Sequence, residues 1–272
     1  MSKNNKKSRL LVNVIGIPAL ISCIFLGDNY FPIYSLLIYC IMFLSMVEWN
    51  DLSNAQYKSL RTINFLTISV IFLMLHFSWL NWSLLMIIMI HAILICTLFT
   101  IKSEQKPLAK VSSSLFGILW IGIFIGSMIL IRNFEEGFEL TLMMFLSIWV
   151  CDTFAFIFGG KYGKKKLSPL SPNKTWLGSI CGFFGSLFIP IVFYLYSPIS
   201  AFIIYDYLIC GLIFGIFGQI GDLFESALKR EANIKDTSNI LHGHGGILDR
   251  FDSLSFASPV LFIFLSSVKG FS

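Results

Sequence analysis

Nine apolar runs mark the chain, at residues 10–27, 30–47, 62–79, 82–101, 114–131, 140–158, 176–196, 201–220 and 253–267. A membrane-crossing helix needs about 20 predominantly apolar residues. The runs therefore predict an all-α, polytopic transmembrane helical bundle of about nine spans. Glycines recur at four-residue spacing in Gly122/Gly126, Gly178/Gly182 and Gly211/Gly215. Such pairs let helices approach closely in lipid, and helix packing is the expected role. Trp49, Trp79, Trp82 and Trp176 fall near run ends, where an interfacial aromatic belt is expected.

The connections carry a strong charge bias. Of the 20 Lys and Arg residues, 18 fall in the N-terminal segment and in connections 48–61, 101–113, 159–175 and 221–252. The opposite side holds only Arg132 and Lys269, beside the acidic Glu135, Glu136 and Glu139. Basic residues stay with the cytosol. The expected orientation is an N-terminus in the cytosol and a C-terminus outside. The basic stretch before the first run reads as the cytosolic end of a span, because no small-residue cleavage site follows it.

Composition narrows the class. Over the 272 residues, 56% are hydrophobic and 13% charged, with a mean hydropathy of +0.79. Soluble domains are about 25% charged, so a soluble globular, disordered or fibrous chain is excluded. The net charge of +5 fits cytosolic loops near anionic lipid, and no nucleic-acid partner is expected. The six cysteines form no Cys-x-x-Cys pair and read as small reduced hydrophobes, with neither disulfide nor zinc site.

Polarity divides the chain in two. Residues 1–113 are expected to be N-terminal transmembrane helices serving as scaffold, dimer-forming or lipid-facing part. Residues 114–272 are expected to form a C-terminal catalytic transmembrane domain, with cytosolic connections 159–175 and 221–252. In the second part Asp152 lies nearly two turns inside a span, where a carboxylate is costly and marks a functional site. A turn rich in glycine and lysine follows, Gly159 to Lys166, then Ser171-Pro172-Asn173-Lys174-Thr175, which can cap the next helix. Backbone N–H groups and clustered ammonium groups suit a polyphosphate. The spacing is not that of a P-loop.

The second cluster is denser. Gln219, Asp222, Glu225, Ser226 and Lys229 lie on or near one face of a helix emerging from the eighth run. Farther on come Lys235-Asp236 and then His242-Gly243-His244-Gly245-Gly246-Ile247-Leu248-Asp249-Arg250-Phe251-Asp252. Gly245-Gly246 is expected to let backbone pass close to a ligand. Asp249 and Asp252 share a helical face. The set is rich in oxygen donors and free of cysteine. Asp222 and Asp249 suit Mg2+, which is commonly held by one or two carboxylates plus substrate phosphates. Nearby Lys and Arg would bind the remaining phosphate charge.

Ser226-Ala227-Leu228-Lys229-Arg230, then Lys235-Asp236-Thr237-Ser238, then Gly243 to Asp252, closely resemble the signature of phosphatidate cytidylyltransferases, the CDP-diacylglycerol synthases. Residues 152–178 resemble that family's second characteristic region. Specific motifs cover roughly 147–258, and the remainder matches in hydropathy and length. Two positions depart from the pattern: Leu177, where Glu or Gln is usual, and His242, where Pro or Gly is usual.

The resemblance implies an integral-membrane enzyme condensing CTP with phosphatidate to CDP-diacylglycerol and pyrophosphate. It implies about nine helices, a homodimer, a bacterial-type cytoplasmic membrane and a cavity open to the cytosol and to lipid. It implies Mg2+ on Asp222 and Asp249, and allows a second cation such as K+. The catalytic set is then Asp222, Asp249, Lys229, Arg230 and Asp152. The substrate phosphates would meet Lys174, Ser226, Lys235, Asp236, His244, Gly245, Gly246, Arg250 and Asp252. Competing expectations are a transporter or flippase of a phosphorylated solute or lipid, and a related transferase acting on another lipid phosphate. A transporter usually repeats broken helices in both halves, whereas the polarity here is confined to one. The Asp-Gly-x-x-Ala-Arg signature of CDP-alcohol phosphotransferases is absent.

Overall fold

A computed structural model describes residues 16–26, 32–53, 58–77, 107–240 and 245–271, with isolated positions at 87, 90, 91 and 94. The chain forms α1 (Ile17–Leu26), α2 (Ile33–Leu52), α3 (Lys58–His76) and α4 (Pro107–Gly117). A π-helical stretch (Ile118–Ile125) joins α4 to α5 (Ser127–Asn133). Then come α6 (Gly137–Tyr162), β1 (Lys166–Ser168), β2 (Ser171–Thr175), α7 (Trp176–Tyr196), α8 (Ile204–Glu231) and α9 (Leu248–Ile263), which ends in a second π-helical stretch (Phe264–Val268).

Among the described residues, six helical segments are long and apolar enough to cross a membrane: Ile33–Leu52, Leu108–Asn133, Gly137–Tyr162, Trp176–Tyr196, Ile204–Glu231 and Leu248–Val268. Two shorter helices, α1 and α3, match two more of the predicted runs. The run at 82–101 lies largely outside the described residues. The architecture is that of an all-α polytopic membrane protein.

Two features depart from the hydropathy pattern. Connection 159–175 is not wholly a turn: β1 and β2 form an antiparallel hairpin, with Lys166 opposite Thr175 and Ser168 opposite Ser171. Ser168-Pro169-Leu170-Ser171 supplies its tight turn, and Pro at the first inner turn position is favoured because its φ is already set. The second is length: α8 continues to Glu231 and α9 begins at Leu248, so both run into the 221–252 connection, in keeping with the helical faces expected for Gln219–Lys229 and for Asp249 with Asp252. Hydropathy reports which part of a helix is apolar, not where its backbone hydrogen bonding ends. Residues such as Leu223, Ala227 and Leu228 keep α8 helical beyond the apolar stretch.

The glycine pairs pack helices as their spacing predicts. Gly178 and Gly182 set α7 against α6, where a Cβ on Gly178 would press on Ala155 O and the Gly159 backbone. Gly211 and Gly215 set α8 against Leu187, Phe183 and Ser186 of α7. Gly122 and Gly126 meet Ile71 and Leu75 of α3. Small residues are the means of close approach where lipid provides no hydrophobic drive between helices.

The belt expectation for Trp49 is corrected. Its side chain is only 5% exposed, and its Nε1 donates to Ser113 O at 3.0 Å. It joins Phe116, Trp120, Phe224 and Phe256 in an aromatic cluster that binds α2, α4, α8 and α9 together. A Trp at a run end is apolar on most of its ring, so a neighbouring helix competes with the interface for it. Trp176 is half exposed, while Trp79 and Trp82 lie outside the described residues.

Candidate active site

α6, the hairpin, α7 and α8 line a cavity of about 600 Å³. Asp152 from α6, Lys166 and Lys174 from the hairpin, Ser179 from α7, and Gln219 and Asp222 from α8 face it. Lys174 forms an ion pair with Asp222 Oδ2. Gln219 is fixed from three sides: its Oε1 accepts from Ser179 Oγ, and its Nε2 donates to Ser179 O at 3.1 Å and Gly215 O at 2.9 Å. Thr175 caps α7, its Oγ1 accepting from Gly178 N at 3.2 Å, so the strand carrying Lys174 leads directly into a capped helix. Leu177 is exposed and is not among the residues that line the cavity, although its neighbour Gly178 is.

A second polar cluster lies where α8 meets the start of α9. Lys229 Nζ bonds Glu225 Oε2 at 2.8 Å and Asp249 Oδ1 at 2.6 Å. Asp249 Oδ2 accepts from Thr237 N at 2.9 Å, Thr237 Oγ1 at 3.0 Å and Gly246 N at 2.7 Å. Asp252, one turn along α9, is buried within electrostatic reach of both Asp222 and Glu225. The helices cross tightly here: a Cβ on Gly221 would press on Asp252 O. Asp252 thus links the cavity pair to the buried pair.

One residue the sequence reading did not single out enters this cluster from the other half of the chain. Glu48, near the end of α2, is 1% exposed. Its Oε1 accepts from Ser238 Oγ at 2.6 Å and Ile247 N at 2.8 Å. Its Oε2 accepts from Thr237 Oγ1 at 3.0 Å and Leu248 N at 2.8 Å. Hydropathy alone places Glu48 at the start of connection 48–61. The available signal was its place directly after an apolar run, with Trp49 and Asn50 beside it.

The glycine pair acquires a physical reason from the same place. Gly245 adopts φ +82°, a conformation that side chains rarely take. A Cβ on Gly246 would overlap Thr237 Oγ1 and both oxygens of Glu48. The close approach expected of a ligand is made, at Gly246, by this chain's own carboxylate.

Of the predicted residues, the structure brings Asp152, Lys174 and Asp222 to the cavity, and Lys229, Asp249, Gly245, Gly246 and Asp252 to the adjoining cluster. Arg230 turns away, donating to Leu170 O at 3.5 Å and Ile234 O at 3.3 Å, and so ties the end of α8 to the hairpin turn. Lys235, Asp236 and Arg250 are exposed, and Ser226 is half-buried on α8. His242 and His244 lie outside the described residues.

The donor set suits a hard cation. The clustered side-chain donors are carboxylate oxygens, and the buried Glu225 lies within hydrogen-bonding reach of Asp252. Among the described residues no three His, Cys, Asp or Glu side chains converge to hold an ion by themselves. That is the arrangement Mg2+ tolerates, since it often takes one or two protein carboxylates and completes its shell with water and substrate phosphate.

Comparison with known proteins adds an independent line. Residues 7–268 match the cytidylyltransferase family. A phosphatidate cytidylyltransferase of Staphylococcus saprophyticus is 32% identical over 266 residues, covering 96% of this chain and all of that protein. One from Staphylococcus haemolyticus is 33% identical over 265 residues, covering 95% of this chain and 98% of that protein. One from Staphylococcus aureus strain COL is 41% identical over 169 residues, covering 61% of this chain and 64% of that protein.

Proposed function

This chain belongs to the cytidylyltransferase family, and we propose that it condenses CTP with phosphatidate to give CDP-diacylglycerol and pyrophosphate within the membrane. The observation that carries the reading is the junction of a cavity of about 600 Å³, faced by Lys166, Lys174, Asp152 and Asp222, with the carboxylate cluster around Lys229. Its volume lies within the range of about 300–1,000 Å³ usual for small-molecule sites. The hairpin lysines supply charge for a triphosphate.

The chemistry asks little of a general base. A phosphatidate phosphate oxygen is already anionic and attacks the α-phosphorus of CTP. The new P–O–P bond forms as the bond from the α-phosphorus to the α–β bridging oxygen breaks, and pyrophosphate leaves. The difficulty is bringing polyanions together, so charge neutralisation carries most of the catalysis. Asp222 and Asp249 are assigned to Mg2+, which when bound offsets the charge developing on the phosphates. Lys174 is assigned to the nucleotide phosphates, exchanging Asp222 for substrate. Lys229 holds Asp249 in place. Glu225, buried beside Asp252, would extend the donor set should a second cation such as K+ bind.

The finer topology belongs to the same proposal. The cavity is lined by Lys166 and Lys174 of connection 159–175, one of the segments that together carry 18 of the 20 basic residues in the sequence, which supports an active site facing the cytosol, an N-terminus inside and a C-terminus outside the bacterial cytoplasmic membrane. Nine spans follow if 82–101 crosses. A homodimer rests on family resemblance.

The test is purified protein in detergent with labelled CTP, phosphatidate and Mg2+. Label should pass into a lipid-soluble CDP-ester, and omitting phosphatidate or Mg2+ should abolish it. Absence of lipid-linked label across acyl chains, detergents and metals would overturn the reading. Labelled product with a different lipid phosphate, and none with phosphatidate, would favour the related transferase.

A further inference from the structure

We propose that Glu48 is a positioning residue of the active site, a carboxylate from α2 that sets the Asp249 side chain through Thr237 and the first turn of α9. The inference rests on the proposed reaction for its kinetic part and on geometry alone for its structural part. Helix α9 has no side-chain cap of its own, since its N-cap residue is Ile247. The first N–H groups of a helix have no partner within it. Glu48 takes two of them, Ile247 N and Leu248 N, from a helix about 200 residues away in sequence. A negative charge is favoured at that end by the helix dipole.

Thr237 is the link. Its Oγ1 lies 3.0 Å from Glu48 Oε2 and 3.0 Å from Asp249 Oδ2. A hydroxyl has one proton, so it donates to one carboxylate at a time. While Lys229 satisfies Asp249, either partner can receive it. With Asp249 engaged by a cation, the Thr237 hydroxyl would donate to Glu48, and Asp249 Oδ2 would keep the donors Thr237 N and Gly246 N. Glu48 is thereby the alternative acceptor that lets Asp249 exchange partners without leaving a buried hydroxyl unsatisfied. The same carboxylate holds Ser238 at 2.6 Å and occupies the space that Gly246 leaves open. The N-terminal half is thus wired into the active site by one buried charge.

Groups that orient metal ligands typically change metal affinity or activity by about 10–100-fold when removed. The experiment uses the full chain, wild type against Glu48→Gln, Thr237→Val and Thr237→Ser. Folding is followed by thermal unfolding in detergent. Two readouts are taken: hydrogen exchange of the 246–248 amides without metal, and the Mg2+ concentration for half-maximal turnover alongside kcat and KM. Glu48→Gln should speed exchange at 246–248 while leaving α6 and α7 protected. It should raise the half-maximal Mg2+ concentration and lower kcat, each by about tenfold or more, with KM for CTP little changed. Thr237→Val should share the kinetic defect, Thr237→Ser should restore it, and Glu48→Gln with Thr237→Val together should be no worse than the stronger single change. Unchanged exchange at 246–248, or an activity loss that only tracks unfolded protein with the Mg2+ dependence intact, overturns the proposal. If wild type makes no CDP-lipid while Glu48→Gln still loosens 246–248, the reaction assignment fails and the positioning role stands.

Discussion

Two aspartate–lysine pairs sit side by side in this protein and are built to opposite specifications. Asp222 and Lys174 meet in an ion pair at the cavity wall, with side chains 32% and 28% exposed. Asp249 and Lys229 are 4% and 13% exposed, and Asp249 receives three further hydrogen bonds. A half-buried ion pair such as Asp222 with Lys174 lies nearer the surface range of about 0–1 kcal/mol. Breaking a buried pair by removing one partner costs about 3–5 kcal/mol. The open pair can therefore trade its lysine for substrate at little cost, while the closed pair is part of the fold. A site that must accept two polyanions and a cation has one exchangeable wall and one fixed wall.

The contrast is broken most severely at Asp249. Asp249→Asn should lower turnover by about a thousandfold or more and destabilise the protein by about 3–5 kcal/mol, measured by CDP-lipid formation and by thermal unfolding. Gly246→Ala comes next. Its Cβ meets Glu48 and Thr237, and overpacking of this kind costs about 1–3 kcal/mol, so Tm should fall and turnover with it. Lys174→Met strikes only the open pair. It should raise the KM for CTP by about tenfold, the worth of one charge-assisted hydrogen bond, while shifting stability by less than about 1 kcal/mol. Thr175→Ala is the mildest. Loss of the α7 cap should cost about 1 kcal/mol, seen as a small drop in Tm, with a modest rise in KM as the strand bearing Lys174 loosens.

Much of this was legible in the chain. The described helices follow the apolar runs because lipid demands continuous apolar length, and Gly178, Gly182, Gly211 and Gly215 pack as their spacing implies. Asp152, Lys174 and Asp222 converge because a carboxylate inside a span has few stable settings other than beside a cation. The misses share a cause. Trp49 and Glu48 both depend on contacts between segments far apart in sequence, which local hydropathy does not contain. Glu48 beside Trp49 looks like the polar end of a span until Thr237, Ser238 and Leu248 are placed around it. The hairpin escaped for a different reason: its strands, of three and five residues, are too short for a period to register.

The most direct test sets Asp222→Asn against Asp249→Asn in the same purified background, reading CDP-lipid and pyrophosphate formation together with thermal unfolding. Both variants should lose turnover, with the two products falling in equal measure, and Asp249→Asn alone should unfold at markedly lower temperature. Near-normal turnover in either variant, or equal destabilisation of both, would contradict a site made of one exchangeable and one fixed aspartate–lysine pair.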